Sequence, residues 1–233
     1  MKNAVKILLA VCVVAALCVG VASYLKANLL SGLDVVGSES VKSFSAVLDA
    51  IGDGVKHDDM NVGWSLSAPD GAARFIWSEN YSKSPMHDVM LELDAKPFID
   101  AGLDPDKLPE SVMFYEDKLM VGTKLGGDDL KYDGDPTPAA AYEQITKLYK
   151  GAVGYHAALD HYGVNLGGGN LFEWAKDMSS NDKDIVFVLD PAPFIEAGVD
   201  PNAVEGWAFA KVTVDVDGKP TEVDKILKPF NLK

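Results

Sequence analysis

The chain has 233 residues and a formal net charge of −14, from 35 acidic and 21 basic residues. This acidity repels nucleic-acid phosphates and anionic lipid headgroups, so we expect no nucleic-acid partner. It favours cationic partners, or it serves solubility alone. Both cysteines, Cys12 and Cys18, lie in an apolar N-terminal run. The rest of the chain therefore has no disulfide framework, no thiolate nucleophile and no cysteine ligand for zinc or an iron–sulfur cluster.

The first 26 residues differ from the rest in composition. Lys2 and Lys6 precede an uncharged run of 19 residues, 7–25, which Lys26 follows. A helix of that length spans about 28 Å, close to the roughly 30 Å hydrocarbon core of a bilayer. We predict a single-pass signal anchor with its N-terminus in the cytoplasm and the bulk of the protein outside, because the lysines precede the run. The alternative is secretion after cleavage near Ala22.

Periodicity then predicts a helix and several strands. The helix begins at Ser38 as N-cap, and its buried face has a 3-4 spacing. That face comprises Val41, Phe44, Leu48, Ile51 and Val55. Alternating apolar residues predict strands at 62–66, 73–77 and 89–93, followed by a hairpin around Glu116-Asp117.

A twelve-residue sequence occurs twice in the chain. Asp94–Pro105 (DAKPFIDAGLDP) recurs as Asp190–Pro201 (DPAPFIEAGVDP) at an offset of 96, with eight identical positions. An offset near 100 is too long for a solenoid repeat, so we interpret it as a duplicated half-domain. Four tryptophans are predicted to lie mainly in the core, two of them at matching repeat positions: Trp64, Trp77, Trp174 and Trp207.

The repeated motif favours a structural role. Proline near its start and glycine after its end are typical of a short helix. Phenylalanine and isoleucine are predicted to anchor this helix in the core, glycine permits positive φ, and Asp-Pro starts the next turn. A duplicated functional loop is the alternative. The motif residues are Pro97, Phe98, Gly102 and Asp104 in one copy, and Pro193, Phe194, Gly198 and Asp200 in the other.

The second half repeats the order of the first. Thr137-Pro138 opens a helix that the apolar pattern extends as far as Gly163. Its predicted buried face comprises Ile145, Leu148, Ala152, Tyr155 and Leu159. Strands are expected near 164–166, 171–175, 185–189 and 207–216, and a short helix or docking tail at 223–230.

These elements predict an α+β fold. We expect an N-terminal transmembrane helix followed by two duplicated helix-plus-antiparallel-β-meander units related by a pseudo-twofold. The predicted segments are the anchor 1–26, a juxtamembrane linker 27–37, the first unit 38–126, a linker 127–136 and the second unit 137–233. Whether the two sheets join or pack back to back stays open at this point.

The four histidines supply the candidates for chemistry. His156 and Asp160 are four residues apart on the predicted helix, as a carboxylate that orients a catalytic imidazole would be. An intrahelical ion pair is the alternative. His161 stands about 140° from His156 around that helix, which argues against a histidine pair. The weaker metal-ligand candidates are His57, which two aspartates follow, His87 and His161. We expect no cofactor and no tightly bound transition metal.

Two glycine-containing segments resemble ligand loops but are predicted to be turns. The sequence GGGN at 167–170 lies between two strands and has no helix after it and no basic residue within it, unlike a phosphate loop. The sequence DVDG at 215–218 begins like a calcium loop, but no glutamate stands at the twelfth position.

Three functions are compatible with these features. The first is a membrane-tethered, non-enzymatic binding or scaffold protein with an unknown protein or small-molecule partner. The second is a carrier of an apolar or tetrapyrrole ligand between sheet and helices. The third is a metal-assisted or acid–base enzyme that uses His156 and Asp160. A filled core with scattered histidines favours the first, a large apolar cavity the second, and converging histidines the third.

Overall fold

The computed structural model describes residues 33–79, 87–124, 137–148, 152–156, 160–178, 183–216 and 219–232. Two six-stranded antiparallel sheets and a few helices form an α+β fold. The predicted anchor at 7–25 and the linker 127–136 lie outside the described residues. Within the described ranges, no helix is long and apolar enough to cross a membrane.

The first sheet follows one long helix and contains a short helix between its fourth and fifth strands. The helices are α1 (Leu33–Ile51) and α2 (Lys96–Asp100). The strands are β1 (Val55–Asp58), β2 (Gly63–Ser67), β3 (Ala73–Ser78), β4 (Val89–Asp94), β5 (Met113–Tyr115) and β6 (Lys118–Thr123). Their order across the sheet is β1-β2-β3-β4-β6-β5.

The second sheet has the same arrangement. Its helices are α3 (Pro138–Leu148) and α4 (Ala192–Glu196). Its strands are β7 (Val153–His156), β8 (His161–Asn165), β9 (Leu171–Ala175), β10 (Ile185–Leu189), β11 (Ala208–Val216) and β12 (Lys219–Phe230). Their order is β7-β8-β9-β10-β12-β11, which matches the first sheet strand for strand.

Each sheet departs from the predicted simple meander at its last hairpin. The first four strands are sequential neighbours, but β6 pairs with β4, and β12 pairs with β10. The fifth strand of each set therefore lies at the edge. A short helix follows the fourth strand in both sheets, and the chain then passes over the place beside the fourth strand and forms the fifth strand at the edge of the sheet. The return strand of the hairpin then fills that position.

Both long helices are shorter at their C-terminal ends than the apolar spacing predicted. Helix α1 begins before Ser38, so Ser38 is inside the helix and is not its N-cap. It ends at Ile51, where Gly52 adopts a φ of 55°, and Val55 belongs to β1. Helix α3 ends at Leu148, before β7 and β8. One or two apolar residues at the end of a helical pattern do not distinguish another helical turn from a short strand, so periodicity alone extended the predicted helices into β1, β7 and the start of β8.

Most predicted strands and turns were confirmed, and one C-terminal element was wrong. Strands 171–175 and 185–189 have the predicted bounds, and the hairpin at Glu116-Asp117 joins β5 to β6. The glycine-rich 167–170 segment forms the turn between β8 and β9. Residues 223–230, predicted as a short helix or tail, belong to β12. The neighbouring residues Ile226 and Leu227 are both buried, so both faces of the strand are covered there and the sequence lacks a clear period of two.

The two sheets are separate, and one cluster of buried side chains contains residues from both. Aromatic rings from matching positions meet in this core. Phe75 on β3 stacks on Phe172 on β9, with ring centroids 4.1 Å apart. Phe44 on α1 packs on Tyr142 on α3 at 4.3 Å.

Each long helix also contacts the sheet of the other half. Helix α1 lies against β7 and β9, and α3 lies against β3. The Trp77 indole donates a hydrogen bond to the Pro138 carbonyl at 3.0 Å, and the Ser43 hydroxyl donates to the Ala175 carbonyl at 3.4 Å. The sequence pattern did not predict this exchange of contacts, which ties the two halves together.

Candidate functional site

The two copies of the repeated motif form equivalent short helices that lie side by side. Each helix has proline at its start. Phe98 and Phe194 are both fully buried, and their ring centroids are 5.0 Å apart. The two copies of the motif, 96 residues apart in sequence, therefore lie together and form one structural feature.

Reciprocal backbone hydrogen bonds join the two copies. The Asp104 amide donates to the Ala197 carbonyl, and the Asp200 amide donates to the Ala101 carbonyl, each at 2.8 Å. Each copy therefore supplies one donor and one acceptor at matching positions. Such a contact is self-complementary, as an interface around a twofold axis is.

Glycine is required where the two copies approach most closely. Gly102 has a φ of 105° and Gly198 a φ of 101°, values that L side chains rarely adopt. A Cβ on Gly102 would lie 2.8 Å from the Gly198 carbonyl oxygen, and a Cβ on Gly198 would lie 2.9 Å from that of Gly102. The following Asp104 caps a 3-10 helix, Pro105–Lys107, as the Asp-Pro pair predicted.

The isoleucine of the motif faces solvent in both copies. Ile99 is 43% exposed and Ile195 is 44% exposed, so the prediction that this residue anchors the core was wrong. A five-residue helix has only one face against the core, and phenylalanine occupies it. The next residue is turned by about 100° around the helix. We call the exposed residues of 96–107 and 192–205 the twin-turn surface.

The twin-turn surface is acidic. These two segments hold two lysines and six acidic residues, which leaves a net charge of −4. Both lysines are paired within their own segment, Lys96 with Asp100 at 2.6 Å and Lys107 with Asp104 at 2.8 Å. Two exposed isoleucines inside an acidic surround form a surface suited to a partner with both apolar and cationic groups.

His57 is held by two carboxylates and lies on edge strand β1, not in a loop. Its Nδ1 is 2.7 Å from Asp59 Oδ1, and its Nε2 is 2.6 Å from Glu79 Oε2. The hydrogen bond to Glu79 is the main cause of a raised pKa for this imidazole. The two carboxylates bind opposite sides of the ring and do not converge on one point. This arrangement suits an imidazolium ion, not a bound metal.

The structure overturns the predicted geometry of His156 and Asp160. These residues do not share a helix, because β7 ends at His156 and Asp160 lies in the turn before β8 with a φ of 54°. The Asp160 carboxylate instead accepts a hydrogen bond from the Tyr155 hydroxyl at 2.5 Å, which raises the pKa of Tyr155 to about 12. The side chain of His156 lies outside the described part of the structure.

The strand register also corrects the predicted separation of two histidines. His156 and His161, expected on different faces of a helix, are directly opposite each other in the β7–β8 hairpin. His161 is buried, and His87 precedes β4 in the first sheet, where burial lowers its pKa. Among the described residues, no three His, Cys, Asp or Glu side chains are grouped to hold a metal.

Two further regions bear on ligand binding. Aromatic side chains occupy the space between sheets and helices where a carried ligand was expected, including Phe44, Trp77 and Trp174. A groove of about 450 Å³ lies at the surface where α1 crosses α3. Its lining residues are Gly37, Ser38, Val41, Lys42, Glu143, Thr146 and Lys147. This groove is open to solvent, and two lysine side chains and one glutamate side chain are among the residues that line it.

Sequence reasoning missed the exposed isoleucines and the carboxylate that pairs with His57. The sequence shows isoleucine at this position in both copies, as Ile99 and Ile195. A five-residue helix is too short for a periodic pattern that would distinguish a buried isoleucine from an exposed one. Glu79 is 22 residues from His57, and only the register of β1, β2 and β3 brings them together. Comparison with known proteins finds no family model, no curated protein and no solved structure that matches this chain.

Proposed function

We propose that this protein is a membrane-tethered, extracytoplasmic binding module without enzymatic activity. It consists of two copies of one α+β unit related by a pseudo-twofold axis, and it presents the twin-turn surface to a cationic protein partner. The apolar run at 7–25 and its flanking lysines support the tether. The matching strand orders and the reciprocal bonds between Ala101, Asp104, Ala197 and Asp200 support the duplication.

The exposure of Ile99 and Ile195 carries the proposal. The phenylalanine next to each of them is fully buried, whereas both isoleucines face water at matching positions. An exposed isoleucine stabilises the fold little, so its presence in both copies favours a role in binding. The surrounding charge of −4 selects a partner with basic residues around an apolar group, and it repels a second copy of this acidic surface.

The other two functions receive less support. A carrier needs an internal cavity, and stacked rings such as Phe75 and Phe172 fill the core between the sheets. The predicted acid–base pair depended on one helix that carries both His156 and Asp160, and this helix is not formed, because β7 ends at His156 and Asp160 lies just before β8, where it accepts a hydrogen bond from Tyr155. His156 and His161 face each other across the β7–β8 hairpin, but among the described residues they belong to no group of three metal-ligating side chains. The binding module therefore accounts best for the filled core.

Membrane fractionation tests the tether. We expect the intact full-length chain in the membrane fraction, extractable by detergent but not by high salt or alkaline carbonate. Recovery of the intact chain from the soluble fraction without detergent would contradict the tether. A shortened chain that begins after Ala22 in the secreted fraction would establish the alternative.

Site-specific photo-crosslinking tests the binding surface in the membrane-bound, full-length protein. A photoreactive residue replaces Ile99, Ile195 or, as the matched control, Met60, which is apolar and 78% exposed at another place. We expect the same basic protein to be attached at positions 99 and 195 and absent at 60. Charge reversals Glu196→Lys and Asp200→Lys should remove the adduct. Identical adducts at all three positions, or none at 99 and 195, would contradict the proposal.

A further inference from the structure

The last hairpin of the second sheet is much longer than its counterpart in the first. Leu119 on β6 pairs with Leu93, and Ile226 on β12 pairs with Leu189, which is the repeat equivalent of Leu93. Beyond these positions the first hairpin has four residues, 115–118, and the second has sixteen, 210–225. The second unit therefore carries a twelve-residue extension that the first lacks.

This extension is a two-stranded arm. Strand β12 pairs with β10 only from Ile226 to Phe230, so residues 210–225 have no partner in β10. They pair with each other through seven register pairs, from Ala210↔Lys225 to Val216↔Lys219. At the usual strand rise the arm is about 20 Å long. Its tip, residues 217 and 218, lies outside the described residues.

The two edges of the arm differ. On the β12 side, Pro220 has no amide hydrogen to donate, and lysine and acidic residues surround it, which are the usual means of blocking an edge. On the other side, β11 has nine residues, no proline and only two charges. In the part of the chain that the structure describes, β11 pairs with β12 alone. The remaining edge strands are short, since β1 and β7 have four residues and β5 has three.

The sequence of β11 is complementary to itself in the antiparallel direction. Around Thr213, Lys211 and Asp215 stand at equal distances on opposite sides, as do Val212 and Val214. In an antiparallel pair of two copies centred on Thr213, each lysine position faces an aspartate position, twice by symmetry. Opposite charges at facing positions stabilise a strand pair, and like charges destabilise it.

We infer that β11 pairs with β11 of a second copy of this chain, forming a homodimer with one continuous twelve-stranded sheet. The net charge of −14 would keep two chains apart, but residues 208–216 are neutral overall, so they can approach here. Lys211 is exposed and lies 3.5 Å from Asp224 across the hairpin, a loose ion pair that it can exchange for the facing aspartate. This interface is separate from the twin-turn surface and does not depend on it.

Charge exchange tests the dimer in the full-length protein in detergent. The readouts are the protein mass by light scattering and the crosslinking of Thr213→Cys across the twofold, in a Cys12→Ser/Cys18→Ser background. We expect a dimer that crosslinks at position 213. Lys211→Asp or Asp215→Lys alone should weaken association by about tenfold or more, because two like-charge contacts form at each interface. The double variant Lys211→Asp/Asp215→Lys should restore the dimer and its crosslink.

The matched control is Lys219→Asp, which makes the same charge change in the same arm on the other strand and should leave the dimer intact. Circular dichroism confirms that each variant is folded. A wild-type protein that stays monomeric at all concentrations would overturn the inference. So would a dimer that either single reversal leaves unchanged, or a double variant that stays monomeric.

Discussion

Glycine at positions 102 and 198 satisfies two constraints at once, positive φ and a close backbone contact. We predict that Gly102→Ala and Gly198→Ala each lower the free energy of unfolding by about 1–3 kcal/mol or more, since strain and steric overlap add. Gly52→Ala is the control, because Gly52 has a φ of 55° but no other atom lies within 4 Å of the position that its Cβ would take. Urea denaturation measures all three. An equal loss at positions 52 and 102 would show that the contact contributes nothing.

Because His57 titrates at the edge of the first sheet, we expect the stability of the fold to depend on pH. Glu79 and Asp59 hold its pKa above the value in an unfolded chain. The protonated imidazole therefore contributes its full stabilisation of the fold below the pKa of the unfolded chain, near 6.5. This contribution is lost as the pH rises through the raised pKa of the folded state. Its size is below about 1 kcal/mol, because water reaches the ring.

The measurement compares the unfolding free energy of the wild type and His57→Gln on both sides of this window. We expect the wild type to be the more stable at mildly acidic pH, and this advantage to vanish at alkaline pH. An advantage that does not change with pH would mean that the imidazolium is not the stabilising form.

At the scale of elements, the two short helices α2 and α4 each insert one ring into the core. We predict that Phe98→Ala and Phe194→Ala each cost about 3–5 kcal/mol, because both rings are fully buried. Ile99→Ala is the matched control on the same helix and should cost less than about 1 kcal/mol, since Ile99 is half exposed. Thermal and urea unfolding provide the values. Losses under about 1 kcal/mol at both phenylalanines would place these helices outside the core.

Helices α1 and α3 show where local pattern and tertiary structure disagree. Both are followed by a short edge strand, β1 or β7, that the sequence pattern assigned to the helix. In each case apolar residues such as Val55 and Tyr155 continue the helical spacing, but each also pairs with the next strand. Pairing with a partner strand determines the structure there, and no local propensity reports it.

At the scale of the whole molecule, Lys228 joins the two sheets. It belongs to β12, yet its Nζ lies 2.5 Å from Asp70 Oδ2 in the β2–β3 turn and 3.1 Å from the Gly206 carbonyl oxygen. Its side chain is 7% exposed. The first sheet has a buried valine, Val121, at the matching position opposite β4. This ion pair therefore has no equivalent in the other half.

We predict that Asp70→Asn lowers the free energy of unfolding by about 1–3 kcal/mol, because it leaves the Lys228 charge buried without its carboxylate. Lys228→Met removes the charge but keeps the apolar stem, so it should cost less than Asp70→Asn. Chemical denaturation of both variants and of the double variant gives the comparison. A larger loss for Lys228→Met would show that the pair itself, and not the isolated charge, dominates.

The sequence alone was enough to predict the α+β class, most strands and the two short helices of the repeated motif. Period-two alternation, turn residues and a repeated motif are local properties, so they can be read from neighbouring positions. The motif residues Phe98, Gly102, Phe194 and Gly198 were identified in this way. Their burial and positive φ are what the residue types predicted.

Tertiary structure alone decided how these parts are assembled. The exchange of α1 and α3 between sheets, the edge positions of β5 and β11, and the exposure of Ile99 and Ile195 all depend on contacts between distant segments. A helix of five residues has no periodicity that separates a buried position from an exposed one, and a strand pattern does not specify its neighbour. The candidate binding surface and the pairing edge were therefore visible only once the two halves were placed against each other.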